Sequence, residues 1–295
     1  MTTLHPDITL LAHNYVRAEV QDAADFVGDS LELARLATRT ETPYLVVAGV
    51  DFMAETAAIL NPDRTVLHPE PCSSCAMALR LTPADVLAAL ATHPDAAVVA
   101  YVNSTAAVKA AADICCTSAN AVQVVNSLDE DEVIFVPDRN LAAFVAARTE
   151  KTVFPVPATG CCPVHQALTV AEIRAARAAH PGAEVMVHPE TSPAVQAEAD
   201  FIGSTSAMIR RVGSTAAATV IVGTEIGLIH RLEREAPEKR FVPASPYLVC
   251  TDMKMITLES VEAAIATRSP VVTVPERIAG RARAALERML ALPVG

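Results

Sequence analysis

AHNYVRAEVQDAADFVGDS (Ala12–Ser30), AYVNSTAAVKAAADICCTS (Ala100–Ser118) and VHPETSPAVQAEADFIGST (Val187–Thr205) are three versions of one segment. Their aspartates, Asp25, Asp113 and Asp200, lie 88 and 87 residues apart. Twelve residues before each stands a polar ring (His13, Tyr101, His188), ten before each another polar group (Tyr15, Asn103, Glu190), and five after each a hydroxyl (Ser30, Ser118, Thr205). Outward from these segments the period persists. Each copy opens on an apolar run (Ile8–Ala12, Ala96–Ala100, Ala183–Val187), and a second apolar run ends in an acid at Asp51, Asp138 and Glu225. A cysteine follows at Cys75, Cys162 and Cys250, and seven residues later a threonine, Thr82, Thr169 or Thr257, is placed to cap a helix with an acid in its first turn. Self-similarity at a fixed long period marks a repeated structural unit.

Short runs rich in Val, Ile and Ala that alternate with helical segments predict parallel strands buried on both faces. The fold class expected is therefore α/β: three homologous three-layer αβα units with parallel sheets, related by a pseudo-threefold axis around a central site. The units are drawn at 1–93, 94–180 and 181–295, and the last carries VVTV and RARAALERMLAL, a strand and helix expected to return to the first unit. Ligands of such sheets bind beyond the carboxyl ends of the strands, where the repeated polar residues fall.

Composition bounds the function. A chain of 295 residues with 52% hydrophobic and 19% charged residues is globular, and a net charge of −11 argues against nucleic acid or an anionic membrane surface as partner. No apolar run approaches the roughly 20 residues that cross a bilayer, and MTTLHPDITLLAHN has no basic leader, so a cytoplasmic location is expected. Seven cysteines, an odd number, point to metal or catalysis rather than a disulfide framework.

Three repeat-locked cysteines would converge in a threefold arrangement. Three thiolates suit an iron–sulfur cluster with one iron open to substrate. A closed zinc site wants a fourth ligand that the repeat does not supply. Cys72 and Cys75 form a CxxC that could pair by oxidation, though only Cys75 follows the period. No role is assigned to Cys72, Cys115, Cys116 or Cys161; His165, three residues after Cys162, is a further candidate. Asp25, Asp113 and Asp200 read as structural, since one identical acid per copy is what a structural role leaves, and Asp51, Asp138 and Glu225 are open between the two readings. A hydroxy-acid hydro-lyase with an open iron and a non-enzymatic redox or metal-binding protein remain alternatives; the triplicated polar set counts against the second.

The motifs LLAHNY, FVGDSLELA, GVDFMAETAAIL, CAMA, YVNSTAAVKA, CTSANA, GCCPVH, HPE, GSTSAMI, GTEIGLIH and CTDMKMITLE run in order over nearly the whole chain and resemble the quinolinate synthase family. The resemblance implies three homologous α/β units and a 4Fe–4S cluster on Cys75, Cys162 and Cys250. It implies condensation of iminoaspartate with dihydroxyacetone phosphate to quinolinate in NAD biosynthesis, with possible functional coupling to L-aspartate oxidase. It further implies substrate binding by His13, Ser30, Tyr101, Asn103, Ser118, His188, Glu190 and Thr205, with Tyr15, Tyr101, His188 and Glu190 in catalysis. Ala158 and Thr159 stand where the family often has an aromatic residue, Leu79 where it has Asp or Asn, and Val16 where it has Gln.

Overall fold

The computed structural model describes residues 6–292; the outermost residues of the first and third expected units lie outside that range. Among the described residues, twelve strands form three separate four-stranded sheets, all parallel. The first comprises β1 (Ile8–His13), β2 (Phe26–Gly28), β3 (Tyr44–Ala48) and β4 (Thr65–Leu67). The second comprises β5 (Ala97–Tyr101), β6 (Ile114–Cys116), β7 (Glu132–Val136) and β8 (Thr152–Pro155). The third comprises β9 (Glu184–Val187), β10 (Phe201–Ile202), β11 (Thr219–Gly223) and β12 (Arg240–Pro243). Strand order is the same in each: β2-β1-β3-β4, β6-β5-β7-β8 and β10-β9-β11-β12.

These strands form because they are buried on both faces: β1, β5 and β9 expose nothing along their length. Alternate residues of β9 separate two apolar layers, Val185 and Val187 packing with Ile173, Val195 and Leu248, and Met186 with Met208 and Leu232 on the opposite side. The aspartates that revealed the period tie each central strand to its crossover. Asp25, Asp113 and Asp200 accept the backbone N–H of Leu10, Val98 and Val185, each at 2.8 Å. The identical acid in each copy is thus structural. Thr82, Thr169 and Thr257 cap the helices Pro83–Thr92, Val170–Ala179 and Leu258–Thr267 as the sequence predicts, with Asp85, Glu172 and Ser260 completing reciprocal capping pairs.

The helix after β6 begins only at Ala121, because Asn120 turns its Oδ1 back onto the Thr117 N–H and holds Thr117–Asn120 as a turn. One local expectation differs. The VVTV run forms no strand of its own. Val271 makes a single antiparallel bridge with Leu67, while the helix Glu276–Ala291 touches the helix Asp51–Leu60 and lies mainly along β6 and the helix Ala106–Lys109. No helix among the described residues is long and apolar enough to cross a membrane.

Candidate active site

The carboxyl ends of the three sheets deliver their polar residues to one cavity of about 120 Å³. His13 and Tyr101 are the last residues of β1 and β5, and His188 directly follows β9. The residues two positions further on, Tyr15, Asn103 and Glu190, also line the cavity. So do Ser30 and Thr205, at the first turns of their helices, and Ser118 in the turn before its own. Cys75, Cys162 and Cys250 lie on the loops that follow the edge strands β4, β8 and β12 and line the same cavity. All twelve residues expected at the site are therefore on its walls. Cys115 and Cys116 are buried in β6, Cys72 is exposed, and none of these lines the cavity; nor does Cys161. His68 instead meets the Gly49 carbonyl, and His230 pairs with Asp22 at the surface.

The second acidic set resolves by its partners. Asp138 Oδ2 accepts the Cys162 N–H at 3.1 Å, Glu225 Oε1 accepts the Cys250 N–H at 3.1 Å, and Asp51 Oδ1 faces the Cys75 N–H at 3.4 Å. Each acid leaves its inner strand (β3, β7 or β11) and grips the cysteine loop of the neighbouring edge strand. The 24- or 25-residue offset between acid and cysteine carried this signal in the sequence. Asp138 also caps the helix Arg139–Ala146, accepting from Asn140 and Leu141, and Ser74 donates to Asp51. Glu225 additionally pairs with Lys254, whose Nζ donates to the Tyr15 carbonyl and so joins the Cys250 segment to the first unit.

A third repeated position anchors the loops that line the cavity from beneath. Gln21 Nε2 donates to the carbonyls of Asn14 and Val16, and Gln196 Nε2 to those of Pro189 and Thr191. The equivalent residue of the second unit is Lys109, fully buried, whose Nζ donates to the Ser104 carbonyl at 2.6 Å and lies 5.3 Å from the Phe52 ring centre. Sequence reasoning missed it because its type differs from the two glutamines.

A chain of polar contacts crosses the site. Tyr15 Oη and Thr224 Oγ1 are 2.6 Å apart, Thr224 Oγ1 and His165 Nε2 2.8 Å, and His165 Nδ1 and Glu190 Oε2 2.7 Å. Glu190 also faces His188 Nδ1 at 3.5 Å, and His188 Nε2 is 3.1 Å from Ser118 Oγ. His165 is thus a member of the site; Thr224 was not foreseen, since Val50 and Pro137 hold the corresponding place in the other copies. Burial favours a neutral carboxyl at Glu190, but the charge and hydrogen bond of His165 outweigh it and hold the group ionised. Burial keeps His13 and His188 neutral, each lowered to about 3, and burial with the Glu190 charge raises the hydroxyls of Tyr15 and Tyr101. The site at neutral pH thus sets the neutral imidazoles of His13 and His188 and the protonated phenols of Tyr15 and Tyr101 around the Glu190 carboxylate, a set suited to general acid–base chemistry.

The three cysteines fit a metal cluster. Burial pushes Cys75 up to about 12 and Cys250 to about 11, and raises Cys162 well above the ordinary thiol range. Cys250 adds to the rise at Cys75, and Cys75 to that at Cys162. Thiolates so placed are unfavourable without a cation among them. Glu190 Oε1 and Asn103 Oδ1 are buried without hydrogen-bond partners beside this set, open to a ligand.

Comparison with known proteins agrees with this arrangement. The family described as quinolinate synthetase A protein matches residues 3–291. The chain is 55% identical over 283 residues to a quinolinate synthase of Methanoregula boonei, covering 96% of this chain and 93% of that one. It is 51% identical over 281 residues to one of Pyrococcus furiosus and 50% identical over 281 residues to one of Dehalococcoides mccartyi, each covering 95% of this chain and 92% of the relative. With three repeated sheets, one shared cavity and a family match over almost its whole length, the chain belongs to the quinolinate synthetase A family.

Proposed function

We propose that this chain condenses iminoaspartate with dihydroxyacetone phosphate to form quinolinate, with loss of phosphate and water, in the route to NAD. The observation that carries the reading is the meeting, on one cavity, of three cysteines and three sets of proton-handling and hydrogen-bonding residues. Cys75, Cys162 and Cys250 would hold a 4Fe–4S cluster, whose open iron supplies Lewis-acid polarisation of a substrate oxygen or carboxylate. The chain's own residues do the rest. The hydroxyls of Ser30, Ser118 and Thr205 and the amide of Asn103 bind substrate carboxylates and phosphate. His13 and Tyr101 orient the bound substrates. Glu190, ionised and in contact with both His165 and His188, holds their imidazoles for proton transfer, with Ser118 at the end of that set. Tyr15, raised and protonated, donates a proton at the opposite wall. The enzyme would act in the cytoplasm, taking iminoaspartate from an aspartate-oxidising enzyme.

The test is anaerobic purification with iron and sulfide analysis and an assay of quinolinate formation from the two substrates. About four irons per chain, with turnover that disappears in Cys162→Ala, supports the reading. A Cys162→Ala protein that keeps full turnover overturns it. Turnover of a hydroxy acid in place of dihydroxyacetone phosphate would assign the site to the hydro-lyase alternative.

A further inference from the structure

Cys162 Sγ, His165 Nδ1 and a Glu190 carboxylate oxygen lie within 4.8 Å of one another in a buried pocket. His165 Nδ1 is 3.2 Å from Cys162 Sγ and 2.7 Å from Glu190 Oε2. The other carboxylate oxygen, Glu190 Oε1, is buried and unpartnered. Residues 162 and 165 sit on one turn, the start of the helix Pro163–Ala167, and Glu190 reaches them from the loop after β9. We propose that, when the chain carries no cluster, these three side chains bind a single zinc-class divalent ion, with the cavity side of the ion open to water.

The donor set selects the ion. A thiolate, an imidazole and a carboxylate together suit Zn²⁺ and its neighbours, not the all-oxygen preference of Ca²⁺ or Mg²⁺. Tetrahedral bonds to zinc place neighbouring donors about 3.3–3.6 Å apart, so His165 Nδ1 parts from its two neighbours by about half an ångström, while Cys162 Sγ and the Glu190 carboxylate, within 4.8 Å of each other, settle at that same spacing. Cys162 loses its thiol proton to solvent on binding. His165 moves its proton from Nδ1 to Nε2, where Thr224 Oγ1, 2.8 Å away, accepts it and fixes the tautomer. The buried thiol then gains the cation it lacks in the metal-free chain.

One consequence rests on the proposed function: if Cys162 also holds the cluster, the ion and the cluster exclude each other, and zinc blocks cluster loading. The ion site itself does not depend on that reading, because Cys75 and Cys250 take no part in it.

The experiment titrates Co²⁺, then Zn²⁺, into the full chain freed of metal under reducing, anaerobic conditions. One cobalt per chain is expected, with a thiolate-to-cobalt charge-transfer band and the intense visible absorption of a four-coordinate ion; Zn²⁺ displaces it. Cys75→Ser and Cys250→Ser keep the band, Cys162→Ser loses it, and His165→Ala weakens binding by at least about tenfold. X-ray absorption of the zinc-loaded wild type, which needs no variant to fold, is expected to show one sulfur neighbour among nitrogen and oxygen. Two or three sulfur neighbours, or a band lost in Cys75→Ser and kept in Cys162→Ser, overturns the site. In the same preparations, iron and sulfide are added after zinc. Cluster formation suppressed in the wild type and restored in His165→Ala supports the exclusion; equal loading with and without zinc overturns it. A chain that binds cobalt as expected and never forms a cluster fails the proposed function and leaves the ion site standing.

Discussion

Asp138 holds Cys162 by its backbone: Oδ2 accepts the Cys162 N–H at 3.1 Å while Oδ1 accepts the N–H groups of Asn140 and Leu141 at 2.8 and 2.7 Å. One fully buried carboxylate thereby caps a helix and fixes the cysteine loop that faces it. Asp138→Ala removes both functions. It is expected to cost about 1–2 kcal/mol through the lost cap and to lower iron retained per chain, measured by thermal unfolding and metal analysis. Asp138→Asn keeps one acceptor oxygen and should fall between the two.

Gly160 precedes this loop where no side chain fits. A Cβ there would lie 1.9 Å from the Pro137 carbonyl oxygen, a backbone atom that cannot swing aside. Its own carbonyl accepts from the Arg139 N–H at 2.8 Å. Gly160→Ala should therefore displace the loop carrying Cys162. The expected result is a folded protein, by circular dichroism, with sharply reduced cluster content; a variant that loads iron and sulfide fully would contradict the close approach.

Lys109 separates stability from turnover. Desolvation lowers the pKa of its buried ammonium, opposed in part by Cys115, Glu55 and Asp51, while Nζ donates to the Ser104 carbonyl. Lys109→Met should leave the melting temperature nearly unchanged. It frees the loop that carries Tyr101 and Asn103, and a displaced catalytic loop lowers turnover roughly 10- to 100-fold. Lys109→Gln, the residue type of the other two units, should recover much of that loss, and kcat and melting temperature measured side by side test this.

Glu190→Gln removes the ionised carboxylate at the centre of the polar chain while preserving its shape. Cluster content should be unchanged and turnover should fall about 10²- to 10⁴-fold, the range for a lost general acid–base group. Steady-state kinetics on protein of known iron content measures both.

His13 and His188 make the fold sensitive to acid. Burial lowers each from 6.5 to about 3, so below pH 6.5 the unfolded chain takes up protons that the folded chain refuses. Their contribution to stability is present above pH 6.5 and is lost as pH falls towards 3. The raised carboxyls of Asp29, Asp138 and Glu225 act in the opposite sense above the ordinary carboxylate range. A variant isolates the histidine term: His13→Asn should reduce the slope of unfolding free energy against pH by about 1.4 kcal/mol per unit between pH 4 and 6, read from denaturant titrations at several pH values.

Much of this arrangement was legible before the fold, and the reason lies in the period. Asp25, Asp113 and Asp200 stand at equal spacing because each ties a central strand to its own crossover, so their register located the strands and the polar residues at their ends. Asp51, Asp138 and Glu225 kept the same register, yet their role was open until their partners, the cysteine N–H groups, could be seen. Thr224 and Lys109 escaped because what they do depends on neighbours in other units or on a residue type that the other copies lack. Thr224 stands between Tyr15 of the first unit and His165, a contact that spans 209 positions of sequence on one side. The turn at Thr117–Asn120 has a local origin, a side chain competing with the helix for a backbone N–H.

The three sheets share one strand order, yet the residues at their ends differ: His, Tyr and His in the first rank, Tyr, Asn and Glu in the second. Three identical subunits arranged around the same centre could offer only one residue type per rank. Threading the three copies on a single chain frees each to change alone. A near-symmetric framework thereby encloses a lopsided chamber, able to tell one end of an unsymmetrical molecule from the other.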